Sequence, residues 1–218
     1  TNTLSTTFDG VDDYISTAQI SLLSVNTISF WVKNSSTSQG TIFGDVWAIS
    51  NYSLYWVPST NNIYFRLGNS NSGYWGLQVS SGLLSDGQWH HHCLSRNALV
   101  LNYYIDGVLQ TNVINNTLNS ASGTETTIRN IGANSAATLP VTASLDEISL
   151  FNTALSQANI TDIYNLGTPN DISAMSGLVS WWRMGDGSTY PTINDEIGSN
   201  DGTMTNMTSA NFVTDVPT

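Results

Sequence analysis

Hydrophobic and polar residues alternate with a period of two along much of the chain. In the segment TISFWVK, Ile28, Phe30 and Val32 share one face of an extended strand, and the residues between them share the other. The segments NIYFRLG and GYWGLQVS alternate in a similar way. Short clusters of Gly, Asn, Asp and Ser separate these runs, as is typical of turns. The pattern therefore predicts an all-β chain of many short strands.

A hairpin is predicted in the segment ALVLNYYIDGVLQTNVI. Its two β-rich runs are joined by Asp106 and Gly107, a residue pair that two-residue hairpin turns favour. Turn residues recur at short intervals throughout the chain, which favours a two-sheet antiparallel sandwich over alternating strands and helices. No stretch has the composition of a linker, so we expect residues 1–218 to form a single domain.

One segment departs from the strand pattern and predicts a short helix near residues 157–166. Ser156 is a suitable N-cap, because its hydroxyl can accept a hydrogen bond from the first helical turn. Leu155 and Ile160 stand at the two positions of a hydrophobic staple. Gly167 follows as a residue that ends helices. We expect this helix to be an addition to the sandwich rather than a second domain.

Composition narrows the classes of function. Five Lys and Arg residues against sixteen Asp and Glu residues give a net charge of −11. Nucleic acids and anionic lipids are bound by basic surfaces, so this charge argues against both partners. The sequence contains no apolar run long enough for a transmembrane helix, which argues against membrane insertion. Cys93 is the only cysteine, so no disulfide can form within the chain.

Several segments, in the order in which they occur, resemble the laminin G-like branch of the concanavalin A-like lectin/glucanase superfamily. TLSTTFDGVDDYIS is similar to an early strand pair of that family, and TISFWVK is similar to its next core strand. DGQWHHHCLSRNALVLNYYIDGVLQ is similar to its central hairpin, and SLDEISLFNTALSQANITDIYNLG to its late strand and the helix that follows. The resemblance implies a jelly-roll sandwich of the concanavalin A-like type.

The segment from Gly177 to Met207 resembles the opening strands of such a module, although it stands near the end of this sequence. We therefore expect a circularly permuted domain in which residues 177–207 take the place of the usual N-terminal strands. A permutation requires termini that lie close together, which is common in domains. The alternative is that the chain was cut out of phase from a tandem array. The same segment also resembles modules of tailed-phage structural proteins.

Catalysis is not favoured by the pattern of carboxylates. Glycosidases of the superfamily carry them in a Glu-x-Asp-x-Glu pattern on one strand, which this sequence lacks. In FDGVDDY, Asp9 and Asp13 would lie roughly 13 Å apart on a fully extended strand, beyond the separation of about 5–9.5 Å in glycosidases. A turn at Gly10 would shorten this distance, but the pair would then leave the strand. We therefore expect a protein that is not an enzyme.

A structural calcium ion is implied by the resemblance, at the rim of the sandwich between an early loop and the late strand. Asp9 matches the early position and Asp146 the late position, with Asp13 and Glu147 as further candidates. Carboxylate and carbonyl oxygens are the ligands that Ca²⁺ takes in proteins. Because Asp also starts turns, turn formation alone is the alternative explanation for these aspartates.

The run from His90 to Cys93 suggests a zinc site, but neighbouring residues on a strand point to opposite faces. At most two of these four residues can therefore share a site, whereas zinc takes three or four protein ligands. In the family that the chain resembles, a core histidine stands at the position of His91 and a small residue at that of Cys93. We expect a packed, hydrogen-bonded histidine beside a buried thiol.

Aromatic residues are the remaining candidates for ligand contact, because Tyr and Trp combine an apolar ring with a polar group. They concentrate between Trp47 and Trp75, a stretch that also contains Tyr64, in segments broken by polar loops. The candidates are Trp47, Tyr52, Tyr55, Trp56, Tyr74 and Trp75. Alternation predicts that some of them point into the core instead. The adjacent Trp181 and Trp182 should likewise point to opposite faces, one inward and the other outward or toward a neighbouring subunit.

Together these observations predict a non-catalytic structural or decoration module of a bacteriophage virion that binds a surface or a glycan. The alternative is an extracellular, lectin-like adhesion domain unrelated to virions. The expected partners are capsid or tail proteins in the first case and surface glycans in either case. A homo-oligomer is compatible with both. The expected location is a virion surface or the extracellular space.

Overall fold

The computed structural model describes residues 1–44, 53–66, 76–116, 126–134 and 138–218. The strands within these ranges, numbered along the chain, are β1 (Ser5–Asp9), β2 (Tyr14–Leu22), β3 (Val25–Lys33), β4 (Gly40–Gly44), β5 (Ser53–Val57), β6 (Asn62–Arg66), β7 (Gly76–Ser80), β8 (Trp89–Asn97), β9 (Val100–Ile105), β10 (Val108–Leu109), β11 (Val113–Asn116), β12 (Thr126–Ile131), β13 (Thr142–Phe151), β14 (Leu178–Trp182), β15 (Thr192–Ile193), β16 (Gly202–Thr205) and β17 (Phe212–Val213). The α-helix α1 spans Gln157–Tyr164, and short 3-10 helices span Pro58–Thr60, Asn165–Gly167 and Ser209–Asn211.

The described strands form two antiparallel sheets. Sheet I has the order β10-β9-β8-β3-β13-β1-β17, and β14 also pairs with β13. Sheet II has the order β11-β7-β6-β5-β4-β12-β2-β16-β15. Strands that follow one another along the chain repeatedly belong to different sheets. The predicted all-β, two-sheet jelly-roll sandwich is thereby confirmed.

The main core lies between the two sheets. Ile28, Phe30 and Val32 of β3 belong to it, as the alternation in that segment predicted. Sheet II contributes residues such as Phe65 of β6 and Val79 of β7. Because side chains alternate along a strand, each sheet also has a second face that points away from this core. We call this second face the outer face.

Helix α1 covers part of the outer face of sheet I. Ser156 caps it, since its hydroxyl accepts a hydrogen bond from the backbone N–H of Asn159 at 3.3 Å. Leu155 and Ile160 lie in one apolar cluster, in agreement with the predicted staple. The helix ends slightly earlier than predicted, because Asn165 takes the left-handed conformation with a φ of 43°. A 3-10 helix follows it.

The C-terminal strands complete both sheets. In sheet I, β14 pairs with β13 and β17 pairs with β1. In sheet II, β16 pairs with β2. Within residues 177–207, β16 thus lies beside β2 of the N-terminal half, while the circular permutation itself stays a prediction. No helix in the described part of the chain is long and apolar enough to cross a membrane.

The adjacent tryptophans of β14 enter two different apolar clusters. Trp182 lies in the main core, and Trp181 lies in the smaller cluster that also holds Ile160 and Ile163 of α1. Both are buried, with exposed fractions of 0% for Trp182 and 6% for Trp181. The two side chains point to opposite faces of sheet I, as predicted, but the expected outward exposure of one of them was wrong, because the helix layer covers Trp181.

Candidate functional site

The outer face of sheet II carries a row of polar and aromatic side chains across four neighbouring strands. The row consists of Thr41 of β4, Tyr55 of β5, Tyr64 of β6 and Gln78 of β7, each opposite the next in the strand register. The residues beside them in β5, β6 and β7 lie in the main core, so the alternation turns these side chains outward. We call these four residues the outer row.

Two stacked tyrosines form the middle of the outer row. The ring centroids of Tyr55 and Tyr64 lie 5.0 Å apart, and their planes differ by only 9°. The hydroxyl of Tyr64 accepts hydrogen bonds from Gln78 Nε2 at 3.2 Å and from Asn62 Nδ2 at 3.4 Å. Tyr55 is buried, whereas Tyr64 and Gln78 are half-buried. Tyr64 and Gln78 are therefore accessible polar groups of the row, which contains no charged residue.

The six aromatic residues that were predicted to contact a ligand do not lie together in one site. Four of them, Trp47, Tyr52, Tyr74 and Trp75, lie outside the described residues. Tyr55 belongs to the outer row. Trp56 points into the main core and is 3% exposed, because neighbours on a strand face opposite sides. We therefore exclude Trp56 from the candidate site. Tyr64, a member of the same aromatic stretch, and Gln78 were not among the predicted ligand contacts, although their alternation with core residues of β6 and β7 already indicated an outward position.

Three aspartates meet at the turn between β1 and β2, at the rim of the sandwich. Single carboxylate oxygens of Asp9, Asp12 and Asp13 all lie within 4.8 Å of one another. Gly10 turns the chain with a φ of 76°, so the extended separation of Asp9 and Asp13 does not occur. Asp13 is buried, and the other two aspartates are exposed. The described residues contain no other group of three His, Cys, Asp or Glu side chains this close together.

Hydrogen bonds hold the aspartates of this turn in place. Asp13 Oδ2 accepts one from the backbone N–H of Asp9 and one from Asn211 Nδ2, both at 3.1 Å. Asp9 Oδ1 accepts one from the backbone N–H of Val11 at 2.7 Å, as in the turns that Asp commonly starts. Burial, followed by the charges of Asp9 and Asp12, raises the pKa of Asp13. A bound cation would relieve this concentration of negative charge.

The compact turn also changes the distance argument about catalysis. Asp9 and Asp13 come as close as the carboxyl pair of a retaining glycosidase, which is about 5 Å apart, so distance alone does not exclude acid–base chemistry. However, Asp13 is buried and holds two hydrogen bonds through Oδ2. The turn leads into β2, which is three strands away from β5 and its Tyr55 in sheet II. The aspartates are therefore not part of the outer row.

Asp146 and Glu147 do not join the aspartate turn. Asp9 lies opposite Thr142 in the register of β1 and β13, and Asp146 is four residues farther along β13. At about 3.3 Å per residue, this offset separates Asp9 from Asp146 by roughly 13 Å. The register thus contradicts a calcium site that joins Asp9 and Asp13 to Asp146 and Glu147.

Asp146 and Glu147 instead form a second, buried acidic group. Asp146 Oδ2 accepts a hydrogen bond from Asn2 Nδ2 at 2.8 Å. Glu147 accepts hydrogen bonds from Trp181 Nε1 at 2.6 Å and from Arg183 Nε at 3.3 Å. Burial, strengthened by the charge of Glu147, raises the pKa of Asp146 well above its usual value. Burial also raises the pKa of Glu147, although Arg183 opposes this. We assign both side chains to the packing of β13 against its neighbours.

The histidine run lies on β8 and does not assemble a metal site. His91 Nε2 is hydrogen-bonded to Ser29 Oγ at 2.7 Å, and both His91 and Cys93 are completely buried. Burial lowers the pKa of His91 to about 4 and raises that of the Cys93 thiol. The hydrogen bond that His90 Nδ1 donates to the Asp106 carboxylate raises the pKa of His90 to about 9. The predicted packed histidine beside a buried thiol is confirmed.

The two antiparallel sheets, with a polar row on one outer face and a helix on the other, define a jelly-roll sandwich domain. Comparison with family models makes this more specific. A laminin G model, described as concanavalin A-like lectin/glucanases superfamily, matches residues 9–161. This is more than half of the 218 residues, and the chain therefore belongs to this superfamily. No curated protein sequence matches the chain.

Solved structures of similar fold come from several kinds of protein. A candidate carbohydrate-binding protein from Bacteroides ovatus is 17% identical with a TM-score of 0.67, over 99% of this chain and 61% of that chain. A heptameric SAP-like pentraxin from Limulus polyphemus is 15% identical with a TM-score of 0.55, over 75% of this chain and 82% of that chain. Domains LG4-5 of the mouse laminin alpha1 chain are 15% identical with a TM-score of 0.52, over 71% of this chain and 43% of that chain. At these identities the likeness shows the fold alone, and this chain spans only 61% of the Bacteroides protein.

Proposed function

We propose that the protein is a non-catalytic carbohydrate-binding domain whose ligand contacts the outer row of sheet II. The outer row is the observation that carries the proposal, because Tyr64 and Gln78 offer ring, hydroxyl and amide groups and are both half-buried. Sugars present hydroxyls and apolar ring edges together, and binding sites for such ligands combine aromatic surface with a few placed polar groups. Membership of a lectin superfamily and the Bacteroides structure support the proposal, although a fold alone does not decide function.

The non-catalytic part of the proposal rests on the chemistry of the row. Glycoside hydrolysis uses a pair of carboxyl groups that flank the scissile bond. The four residues of the outer row include no Asp or Glu, and the close pair at the rim belongs to a different part of sheet II. A ligand on the row is therefore bound rather than cleaved.

Replacement of Tyr64 by Ala should lower the affinity for glycan roughly tenfold or more, equal to about 1.4 kcal/mol, because it removes a central contact of the row. A glycan array with the unaltered protein first identifies the ligand, and calorimetric titration then compares the variants. Tyr14→Ala is the matched control, since Tyr14 is a half-buried residue that precedes core residue Ile15 on β2 of the same sheet. Equal affinity of the Tyr64→Ala variant and the unaltered protein would remove the outer row from the proposal.

We also propose that the turn of Asp9, Asp12 and Asp13 holds a structural calcium ion. The fit rests on three carboxylates within 4.8 Å, one of them buried, which form the hard oxygen ligand set that Ca²⁺ prefers. Bound calcium would supply positive charge between the aspartates and fix the connection from sheet I to sheet II. The proposed calcium ligands are therefore Asp9, Asp12 and Asp13. Asp146 and Glu147 are omitted, because the strand register separates them from this turn.

Calcium should raise the thermal unfolding midpoint of the protein relative to EDTA. At 100 times the dissociation constant the ion contributes about 2.7 kcal/mol, which corresponds to roughly 5–10 °C for a chain of this length. Scanning calorimetry of Asp13→Asn should show the calcium shift abolished, whereas Asp146→Asn, roughly 13 Å away, should retain it. If the calcium-induced rise of the unfolding midpoint disappears in Asp146→Asn instead, calcium binds at the site with Asp146 that the sequence predicted. If calcium does not change the unfolding midpoint of the unaltered protein, the three aspartates form only a turn and no calcium site.

The location on a bacteriophage virion stays a prediction. It rests on the resemblance of residues 177–207 to modules of tailed-phage structural proteins. The proposed glycan binding is compatible with either setting. Both a virion surface and the extracellular space would expose the domain to glycans.

A further inference from the structure

We propose that one edge of sheet I is a self-association surface, through which two copies of this chain form a weak dimer with two-fold symmetry. The surface consists of Leu99, Val100, Val108 and Leu109, and we call these four residues the apolar edge. Self-association goes beyond the proposed carbohydrate binding and does not depend on it. An unpaired strand segment, exposed apolar side chains and the distribution of charge carry the proposal.

The last two strands of sheet I overlap over only part of their length. β10 is the terminal strand, and it pairs with Tyr104 and Ile105 at the C-terminal end of β9. The contact extends by one residue, because the backbone N–H of Gln110 donates to the carbonyl of Tyr103 at 2.8 Å. Residues 100–102 pair with β8 on one side, and no strand in the described part of the chain pairs with them on the other. This part of β9 is therefore a free edge, to which a strand of another chain can add.

Large apolar side chains are exposed at both ends of this free edge. Leu99 and Val100 stand at the start of β9, and Val108 and Leu109 form β10. Their exposed fractions range from 42% for Leu109 to 63% for Val108. Exposed apolar residues that are scattered singly are ordinary, whereas a group of them along one edge is typical of a contact surface. Sheet edges that stay unpaired are commonly protected by charged residues or Pro, and the apolar edge contains neither.

An antiparallel pairing of two such edges brings their apolar ends together. A two-fold axis at Leu101 sets Val100 of one copy opposite Asn102 of the other, because an antiparallel register reverses the order of the residues. Leu99 of one copy then reaches the end of β10 in the other copy, where Leu109 is exposed. The edge is thus complementary to itself. Its short pairing gives a small contact area, which is typical of weak association.

The distribution of charge favours a second copy of this chain as the occupant. Each copy has a net charge of −11, so two copies repel each other unless they meet on uncharged surface. Between Arg96 and Glu125 the sequence contains a single charged residue, Asp106. Its Oδ2 lies 2.7 Å from Nδ1 of His90, so an ion pair with this histidine offsets its charge. The apolar edge is therefore a surface on which two acidic chains can approach each other.

Sedimentation velocity of the full chain over a range of roughly 5 to 500 µM tests for the dimer, without any glycan present. Val100→Glu places a carboxylate in the contact of each copy and should raise the dissociation constant of the dimer at least about tenfold. Leu109→Glu tests the other end of the apolar edge and should have the same effect. Ile197→Glu is the matched control, because it makes the same change in net charge at an exposed apolar residue in the loop after β15, the terminal strand of sheet II. It should remain within about twofold of the unaltered protein.

Three results would overturn the proposal. An unaltered protein that stays monomeric at every concentration would exclude self-association and leave the apolar edge to a partner of another kind. A dimer that all three variants weaken equally would respond to net charge and not to the apolar edge. Added salt should strengthen the dimer, because it screens the repulsion between like-charged copies, so a dimer that salt weakens would be held by ion pairs instead. Melting curves confirm that each variant is folded, and either edge variant suffices for the comparison with Ile197→Glu.

Discussion

Replacement of Trp182 by Ala should destabilise the protein by roughly 3–5 kcal/mol, the usual effect of removing a buried tryptophan. Trp182 is completely buried in the main core, and its Nε1 donates to the backbone carbonyl of Asn200 at 2.8 Å. The truncation removes the largest side chain of β14 from this core and leaves a cavity. In a chain of this length the unfolding midpoint should fall by roughly 6–20 °C. Circular dichroism melting and urea unfolding measure the change.

Trp89 offers a matched control for this truncation. It is half-buried on β8, and its indole donates to Asp215 Oδ1 at 3.1 Å near the surface. Trp89→Ala should therefore cost clearly less, roughly 1 kcal/mol. Equal melting of the Trp182→Ala and Trp89→Ala variants would contradict the position of β14 as a core strand. The comparison also tests whether the segment after Gly177 is an integral part of the sandwich.

The faces of individual strands could be predicted because side-chain alternation is a local property. Ile28, Phe30 and Val32 lie in the main core as their spacing indicates, since a period of two selects the buried side regardless of which strands are adjacent. The cap at Ser156 and the apolar contact of Leu155 were predictable for the same reason, because both depend on residues within one helical turn.

The arrangement of strands relative to one another could not be predicted in the same way. Asp9 and Asp146 stand where the resemblance placed a common metal site, yet the offset of β1 against β13 separates them. This offset depends on many contacts along both strands, which no short sequence motif reveals. Conversely, Asp12 joins Asp9 and Asp13 only because the chain contracts at Gly10, which the extended pattern of FDGVDDY does not reveal.

The candidate site shows the same limit at the level of single residues. Trp56 was included in the predicted ligand contacts and Tyr64 was not, although strand parity alone separates Trp56 in the core from Tyr55 on the outer face. Parity could also have indicated Tyr64 and Gln78. The stacking of Tyr55 on Tyr64 could not have been predicted, because it requires the exact pairing of β5 with β6. Alternation along one strand thus identifies the face on which a side chain lies, whereas the pairing register between strands identifies which side chains form a site together.

Gly132 supplies the second large expected effect, because this position between β12 and β13 has no room for a side chain. Its φ is 90°, which L side chains rarely adopt, and a Cβ would lie 2.5 Å from Phe8 Cδ1 and closer still to Cε1. Phe8 belongs to the main core, so it cannot move without disturbing other side chains. Backbone hydrogen bonds from Gly132 N–H to Ile42 and from Val141 N–H to Gly132 hold the turn itself in place at 2.9 and 2.8 Å.

Gly132→Ala should therefore destabilise the protein by roughly 2–4 kcal/mol, from backbone strain together with overpacking against Phe8. The control is Gly82→Ala, since Gly82 is exposed and a Cβ there would meet no atom within 4 Å. That change should remain within about 0.5 kcal/mol of the unaltered protein or stabilise it slightly, through loss of freedom in the unfolded chain. Urea unfolding of both variants measures the difference. If Gly132→Ala proved as mild as Gly82→Ala, the close approach of the FDG strand to the turn after β12 would be refuted, and with it the packing that places Phe8 in the core.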